Sequence, residues 1–345
     1  MRIAFLRGPL GHINPDTETS ILLMYECHLR SHQVFFLEPH DLYIRNNRVV
    51  GRMREITAPA DCDLHAFWRH AIACVEDEKK IFEELRELDV LFLRKNPPLL
   101  MEMMELLASV EDQVFLINSL RGQLLGSSKL YTLNFPDIIP ETHVSRDPAR
   151  LRRIIDDFGG TMVMKPLRGF GGQGVIKVSA SDPENLNSLL DFYVRVNEPY
   201  HRREPIMVQE FIEAVRTDGD IRIMLLNGEV LGAFRRMPHG TDFRANLRAG
   251  GDYFPHELTP QQQHICDVIR ERLIRDGLYF VGIDIIGDKL IEINCVSPGG
   301  IPRINQFTNQ RLEKKVVDFL ERMAAEKSGG SNPVAPRFPP ETGLC

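Results

Sequence analysis

Between Tyr279 and Pro298 the chain reads Y-F-V-G-I-D-I-I-G-D-K-L-I-E-I-N-C-V-S-P, two apolar, β-branched runs joined at Gly287-Asp288. Runs of this kind, bounded by Gly and Asp, predict paired strands. The first encloses Asp284 and the second encloses Glu292 and Asn294. Glu292 and Asn294 stand two apart, so a strand sends both to one face. A plain two-residue turn at Gly287-Asp288 pairs Asp284 with Ile291 and leaves the two carboxylates on opposite faces. Bringing them together demands a bulge or a three-residue loop. Charged groups among Ile and Val are costly to bury unpaired. Two readings follow. Either these polar residues lie on a solvated face, or Asp284, Glu292 and Asn294 offer hard oxygen ligands to Mg²⁺ alongside phosphate oxygens.

The rest of the chain has room for two or three domains in its 345 residues. In the first third, apolar runs at 2–6, 33–38, 89–93 and 113–118 alternate with a helical segment at 19–30. That alternation predicts a parallel α/β domain over 1–120. In such sheets ligands bind beyond the carboxyl ends of the strands, so the loops 8–16 and 94–98 are candidate substrate contacts. A smaller α+β unit is expected over 121–207, with a helix over 148–157 capped by Asp147 and opened by Pro148. A third unit is expected over 208–327, with a hairpin at Asn227-Gly228 and helices over 260–276 and 312–326. The Gly-, Ser- and Pro-rich stretch 328–345 is expected to be a disordered tail. A formal net charge of -6 argues against a general nucleic-acid binder. No apolar run approaches the ~20 residues of a membrane helix. The six cysteines form no C-x-x-C pair, which argues against a zinc site or disulfide framework. A cytoplasmic protein is expected.

Gly169-Phe170-Gly171-Gly172-Gln173-Gly174 matches the dinucleotide fingerprint G-x-G-x-x-G, but that motif must open a helix. Val175-Ile176-Lys177-Val178 follows it and is β-like. No Gly-Lys-Ser/Thr closes a Walker A loop. A glycine loop between strands predicts a flap whose backbone N–H groups close over phosphates, with Lys165 on the preceding strand adding a point charge. The competing account is a plain hairpin, although four glycines in six residues exceed what a turn needs. Gln209, Glu210, Phe211 and Ile212 end a strand at the expected hinge and offer backbone to an adenine edge. Asp220 and Arg222 follow a Gly-containing turn, and Arg235, Arg236, Arg244 and Arg248 lie beyond the hairpin. The guanidinium fork suits carboxylates and phosphates, while each arginine taken singly is more often a solvated surface residue.

Taken in order, G-P-L-G-H-I-N-P-D, E-P-H-D-L-Y-I-R-N-N, L-R-K-N-P-P, S-K-L-Y-T, M-K-P-L-R-G-F-G-G-Q-G, D-G-D-I-R, A-N-L-R-A-G-G and G-I-D-I-I-G-D-K-L-I-E-I-N resemble the bacterial glutathione synthetase family of the ATP-grasp superfamily. The resemblance implies an α/β and α+β chain, with an N-terminal Rossmann-like (pre-ATP-grasp) domain followed by a two-part ATP-grasp fold. It implies an ATP-dependent carboxylate–amine ligase of the glutathione synthase type, working through an acyl phosphate. Ligation of a different pair, or a nucleotide-binding regulatory protein without turnover, are the alternatives. ATP and Mg²⁺, with Mn²⁺ as a substitute, are the implied cofactors. The implied partners are ATP, a dipeptide and an amino acid, with no nucleic acid or membrane and with self-association into a homo-oligomer. Carried onto this sequence, the resemblance puts Lys129, Lys165 and Gly169 to Gly174 on ATP phosphates, Gln209 to Ile212 on adenine, and Asp220 towards the ribose. Asp284, Glu292 and Asn294 become metal ligands, and Arg222, Lys165 and Arg244 the catalytic set. Arg94, Arg236, Arg244, Asn294, Ser297, Gly299 and Gly300 become substrate contacts under a mobile lid at 237–250. Two stretches depart from the family pattern. Val296-Ser297-Pro298-Gly299-Gly300-Ile301 stands where members carry Thr-Ser-Pro-Thr-Cys-Ile, and 119–128 lacks the usual Lys-Pro-containing segment.

Overall fold

A computed structural model describes residues 1–345 except 12, 78–79, 170, 195, 198–201, 239–251 and 330–345. The first unit runs β1 (Arg2–Leu6), α1 (Thr19–Leu29), β2 (Gln33–Leu37), β3 (Leu42–Arg45), β4 (Arg48–Glu55), α2 (Leu64–Glu76), β5 (Ile81–Glu84), β6 (Val90–Leu93), α3 (Met101–Ala108), β7 (Phe115–Ile117) and α4 (Leu120–Gly126). Strands β2-β1-β6-β7 are parallel and buried, as unbroken apolar runs require. Antiparallel β4 extends the sheet beyond β2 and carries β3 and β5. The expected parallel sheet therefore holds for four strands only. The hairpin that extends it turns at Asn46 and Asn47, whose φ values of 50° and 61° suit a type I′ turn.

The second unit contains β8 (Thr142–Ser145), α5 (Pro148–Asp157), β9 (Thr161–Pro166), β10 (Ile176–Ser179), α6 (Pro183–Tyr193), the short pair β11 (Val196–Asn197) and β12 (Arg202–Arg203), and β13 (Ile206–Glu210). Its antiparallel sheet has the order β10-β9-β13-β8. Asp147 caps α5 by accepting from the Ala149 amide. Met162 and Met164 face the helices with Leu151, Ile154 and Leu190, so the pleat sends Val163 and Lys165 to the other side. Since β13 pairs with β8 and β9, this sheet runs to Glu210, past the expected boundary at 207.

The third unit is an antiparallel sheet, β16-β15-β14-β17-β18. Its elements are β14 (Asp220–Leu226), β15 (Glu229–Met237), β16 (Asp252–Pro255), α7 (Pro260–Arg275), β17 (Phe280–Ile286), β18 (Lys289–Asn294), α8 (Ile301–Thr308) and α9 (Leu312–Ser328). Ile221, Ile223, Leu225, Ile283 and Ile285 pack one face against Ile265, Ile269 and Leu273 of α7. Helix α9 returns to the first unit, where Val316, Phe319 and Leu320 join the core beside α1 and Arg30 bonds Asp318 at 2.6 Å. Asn118 stitches the units together, giving its amide to the carbonyls of Phe280 and Cys295 and accepting from the Phe280 amide. Among the described residues no helix is long and apolar enough to cross a membrane.

Candidate functional site

The hairpin β17–β18 pairs Ile286 with Lys289 and Ile285 with Leu290, then slips, so that Asp284 faces Glu292. Ile291 is the extra residue of a β-bulge. The two carboxylates consequently share a face, and Asn294, opposite Gly282, lies on it too. On the other edge of β17, β14 brings Arg222 opposite Asp284 and Asp220 opposite Arg236 of β15. Arg222 grips Asp284 with a fork of 2.5 and 2.9 Å and donates to the Gly299 carbonyl at 3.2 Å. Arg236 reaches Asp220 at 2.5 Å and Asp284 at 2.8 Å. Asn294 donates to Asp284 at 3.0 Å, and Lys129 lies 3.4 Å from Glu292.

These charges set one another. Burial alone would raise Asp284, but the Arg222 and Arg236 guanidiniums overcome it and hold its carboxyl well below the usual range. Burial pushes Asp220 up to about 6 against the pull of Arg236, with the charge of Asp284 adding to the rise. Among the described residues no three His, Cys, Asp or Glu side chains could hold a metal unaided. Two carboxylates and an amide oxygen on one face do fit a hard divalent cation that draws its remaining ligands from phosphate oxygens. At Asp284 such a cation must compete with two guanidiniums.

Two adjoining cavities open on this face. The narrower, of about 130 Å³, is lined by Val163, Val175, Ile286 and Ile291 on its apolar walls and by Lys165 and Gln209 to Ile212. Lys165 is buried and donates to Gln209 Oε1 at 2.5 Å. Burial pushes its ammonium down to about 8, against the pull of Glu292. The glycine loop joins β9 to β10, with positive φ at Gly169, Gly171, Gly172 and Gly174. Gly171 and Gly172 line the narrow cavity, Gln173 lines the wider one, and Phe170 lies outside the described residues. Lys129 Nζ is 3.4 Å from the Gly169 carbonyl and, through Glu292, ties the loop to β18.

The wider cavity, of about 620 Å³, is bounded by Asn96 to Leu99 and by Cys295 to Gly300. Ser297, Gly299, Gly300, Asn294, Arg222 and Arg236 all line it. Arg94 sits elsewhere. It is buried between the Phe92 and Phe280 rings, donates to Ser20 Oγ and the Pro298 carbonyl, and accepts from Ser297 Oγ through its own carbonyl. Its side chain shapes the 297–299 turn from behind. Arg244, Arg248 and 239–250 of the expected lid lie outside the described residues.

A model of the prokaryotic glutathione synthetase N-terminal domain matches residues 1–122, and a model of that enzyme's ATP-grasp domain matches 128–309. The chain belongs to this family. It is 34% identical to a glutathione synthetase of Synechocystis sp. over 93% of this chain and 99% of that one. With the Gloeobacter violaceus glutathione synthetase it shares 35% identity over 93% and 96% of the two chains. The fold is also that of solved ATP-grasp ligases. One is a Chryseobacterium gregarium RiPP-associated ligase, with TM-score 0.61 and 17% identity over 93% of this chain and 97% of that one. Another is the D-cycloserine synthetase DcsG, with TM-score 0.59 and 14% identity over 92% and 99%. The chain is thus an ATP-dependent ligase, from a family that uses ATP and depends on a divalent cation.

Sequence reasoning passed over Arg168, Tyr253 and Arg303, which also line the wider cavity of this family member. Tyr253 sits on a four-residue edge strand and Arg303 in the first turn of α8. Neither lies in a motif. The pairing of β16 with β15 sets Tyr253 opposite Arg236, and the turn 297–300 before α8 brings Arg303 to the same cavity.

Proposed function

We propose that the protein is a glutathione synthase, joining γ-glutamylcysteine to glycine while ATP is split to ADP and phosphate. The observation that carries this reading is the wall common to the two cavities. Lys129, Arg222, Arg236, Glu292 and Asn294 line both, so phosphate chemistry in one has its charges at the mouth of the other. A carboxylate is a poor acylating agent. In the first step its oxygen attacks the γ-phosphorus and the bond to ADP breaks, leaving an acyl phosphate. In the second the amine attacks the acyl carbon, the C–O bond to phosphate breaks, and the nitrogen gives up a proton. Lys129, Lys165 and the amides of Gly171 and Gly172 would hold the phosphates. Gln209 to Ile212 would border adenine between the apolar walls, and Asp220 would face the ribose. Asp284, Glu292 and Asn294 would hold Mg²⁺, or Mn²⁺ in its place, which supplies charge neutralisation on phosphate oxygens when bound. Arg222, at the junction of the cavities, would offset charge developing on the transferred phosphoryl group and on the tetrahedral carbon.

The test is ATP consumption over a panel of dipeptides and amino acids, with the mass of the product determined. Glutathione from γ-glutamylcysteine and glycine as the fastest reaction is expected, and a clear preference for another pair overturns the assignment. One observation favours a second reading, a ligase for a bulkier amine. A methyl group built on Gly299 meets nothing nearer than Thr19 Oγ1 at 3.8 Å, so the wall has room there that a larger acceptor could fill.

A further inference from the structure

Charge is not balanced evenly around the wider cavity. Of the basic side chains that line it, Lys129 has Glu292, Arg222 has Asp284, and Arg236 has Asp220 and Asp284. Arg303 is different. Among the described residues it has no carboxylate partner, and its one hydrogen bond is to the amide oxygen of Gln306 at 3.1 Å. Its guanidinium is nevertheless held in place, 4.7 Å above the ring of Tyr253, which in turn packs on Phe234 at 5.8 Å. Stacking of this kind pre-organises the guanidinium fork and leaves its edge available to a planar anion. No hydrogen bond from the Tyr253 hydroxyl to another described residue accompanies this stack. Arg168 also lines the cavity and, among the described residues, has neither a carboxylate partner nor a ring beneath it, but it is exposed on the glycine-loop side.

A ligase that joins an acid to an amino acid faces a problem of selection. The acceptor carries a carboxylate of its own, and that group must be kept away from the transferred phosphoryl while its amine is brought close. A fixed, uncompensated guanidinium on the wall away from the nucleotide cavity does this by geometry. Arg303 lines the wider cavity and not the narrow one. It lies just beyond the turn whose Gly299 carbonyl Arg222 holds.

We propose that Arg303, stacked on Tyr253, anchors the carboxylate of the acceptor amino acid and so fixes which end of that substrate reacts. The proposal rests on the ligase reading above and on no particular acceptor. The test compares the intact protein with Arg303→Met and Arg303→Lys, using glycine and glycinamide as acceptors. If the panel assay selects another amine, that amino acid and its amide take their place, so a failed substrate assignment is read separately. Losing a charge-assisted, two-pronged contact raises KM for the amino acid about 10- to 100-fold in Arg303→Met. Lysine restores part of the loss, and KM for ATP and for the peptide stays put. Glycinamide, lacking the carboxylate, reacts equally poorly with the intact protein and the variant. An unchanged KM for the amino acid overturns the proposal, as does a rise confined to the peptide. Equal damage to glycine and glycinamide also overturns it, because that pattern marks a structural role.

Discussion

Replacing Lys165 with Met separates the stability of the empty nucleotide site from its affinity for phosphate. Lys165 is 7% exposed, and its ammonium donates to Gln209 Oε1 and is pushed by burial from 10.5 to about 8. That fall corresponds to about 3 kcal/mol against the charged form. The sign matters. Below pH 8 both the folded and the unfolded chain carry the proton, so the penalty on folding is present in full. Between pH 8 and 10.5 the folded chain sheds its proton first, and stability rises with pH as the penalty fades. Methionine removes the penalty but leaves Gln209 Oε1 without its donor, which costs about 1–3 kcal/mol. Gln209 keeps its other contact, to Thr142 Oγ1 at 2.8 Å. The balance at pH 7 is a gain of about 0–2 kcal/mol for the ligand-free variant.

Nucleotide affinity moves the other way. Loss of a charge-assisted contact of about 1.5–3 kcal/mol weakens ATP binding roughly 10- to 150-fold. Urea denaturation of the ligand-free proteins and calorimetric titration with ATP read the two effects independently. A variant that is less stable than its parent yet binds ATP as tightly would refute the reasoning on both counts.

What the sequence made legible was what local chemistry decides. Asp147-Pro148 announces α5, Asn227-Gly228 turns β14 into β15, and the glycine run after Lys165 marks a loop between two strands. The bulge in β17–β18 was legible as a requirement, because two carboxylates on a two-residue hairpin cannot share a face without one. The rest depends on partners distant in sequence. Arg94 reads as a ligand contact because it opens a loop beyond a strand, yet its side chain is committed to Pro298, 204 residues away. Helix α9 carries an ordinary amphipathic pattern that does not say which sheet it will cover, and it covers the first. Arg303 and Tyr253 come together through strand pairing and the turn before α8. No local spacing encodes either.

Three further outcomes follow from the geometry. With Lys165 in its proposed role on the phosphates, ATP affinity should fall as pH rises above 8, and calorimetry in buffers of different ionisation heat should detect proton uptake on binding; in Lys165→Met both effects vanish. Gly126→Ala forces a methyl to 2.6 Å from Cys295 Sγ and should cost about 1–3 kcal/mol in urea denaturation, whereas Gly299→Ala, whose methyl meets Thr19 Oγ1 at an ordinary contact distance of 3.8 Å, should stay within about 0.5 kcal/mol. Arg222→Ala strips the fork from Asp284 and bares the Gly299 carbonyl. Removing one partner of a buried pair costs about 3–5 kcal/mol because the other charge is left behind, and Arg236, still 2.8 Å from Asp284, puts this case at the low end. Arg222→Lys restores the charge without the two-pronged geometry, so stability should recover in part while turnover does not. A double-mutant cycle with Asp284→Ala isolates the pair. A coupling below about 0.5 kcal/mol would mean that Arg236 alone satisfies Asp284, and that Arg222 is free to turn to phosphate without disturbing the sheet.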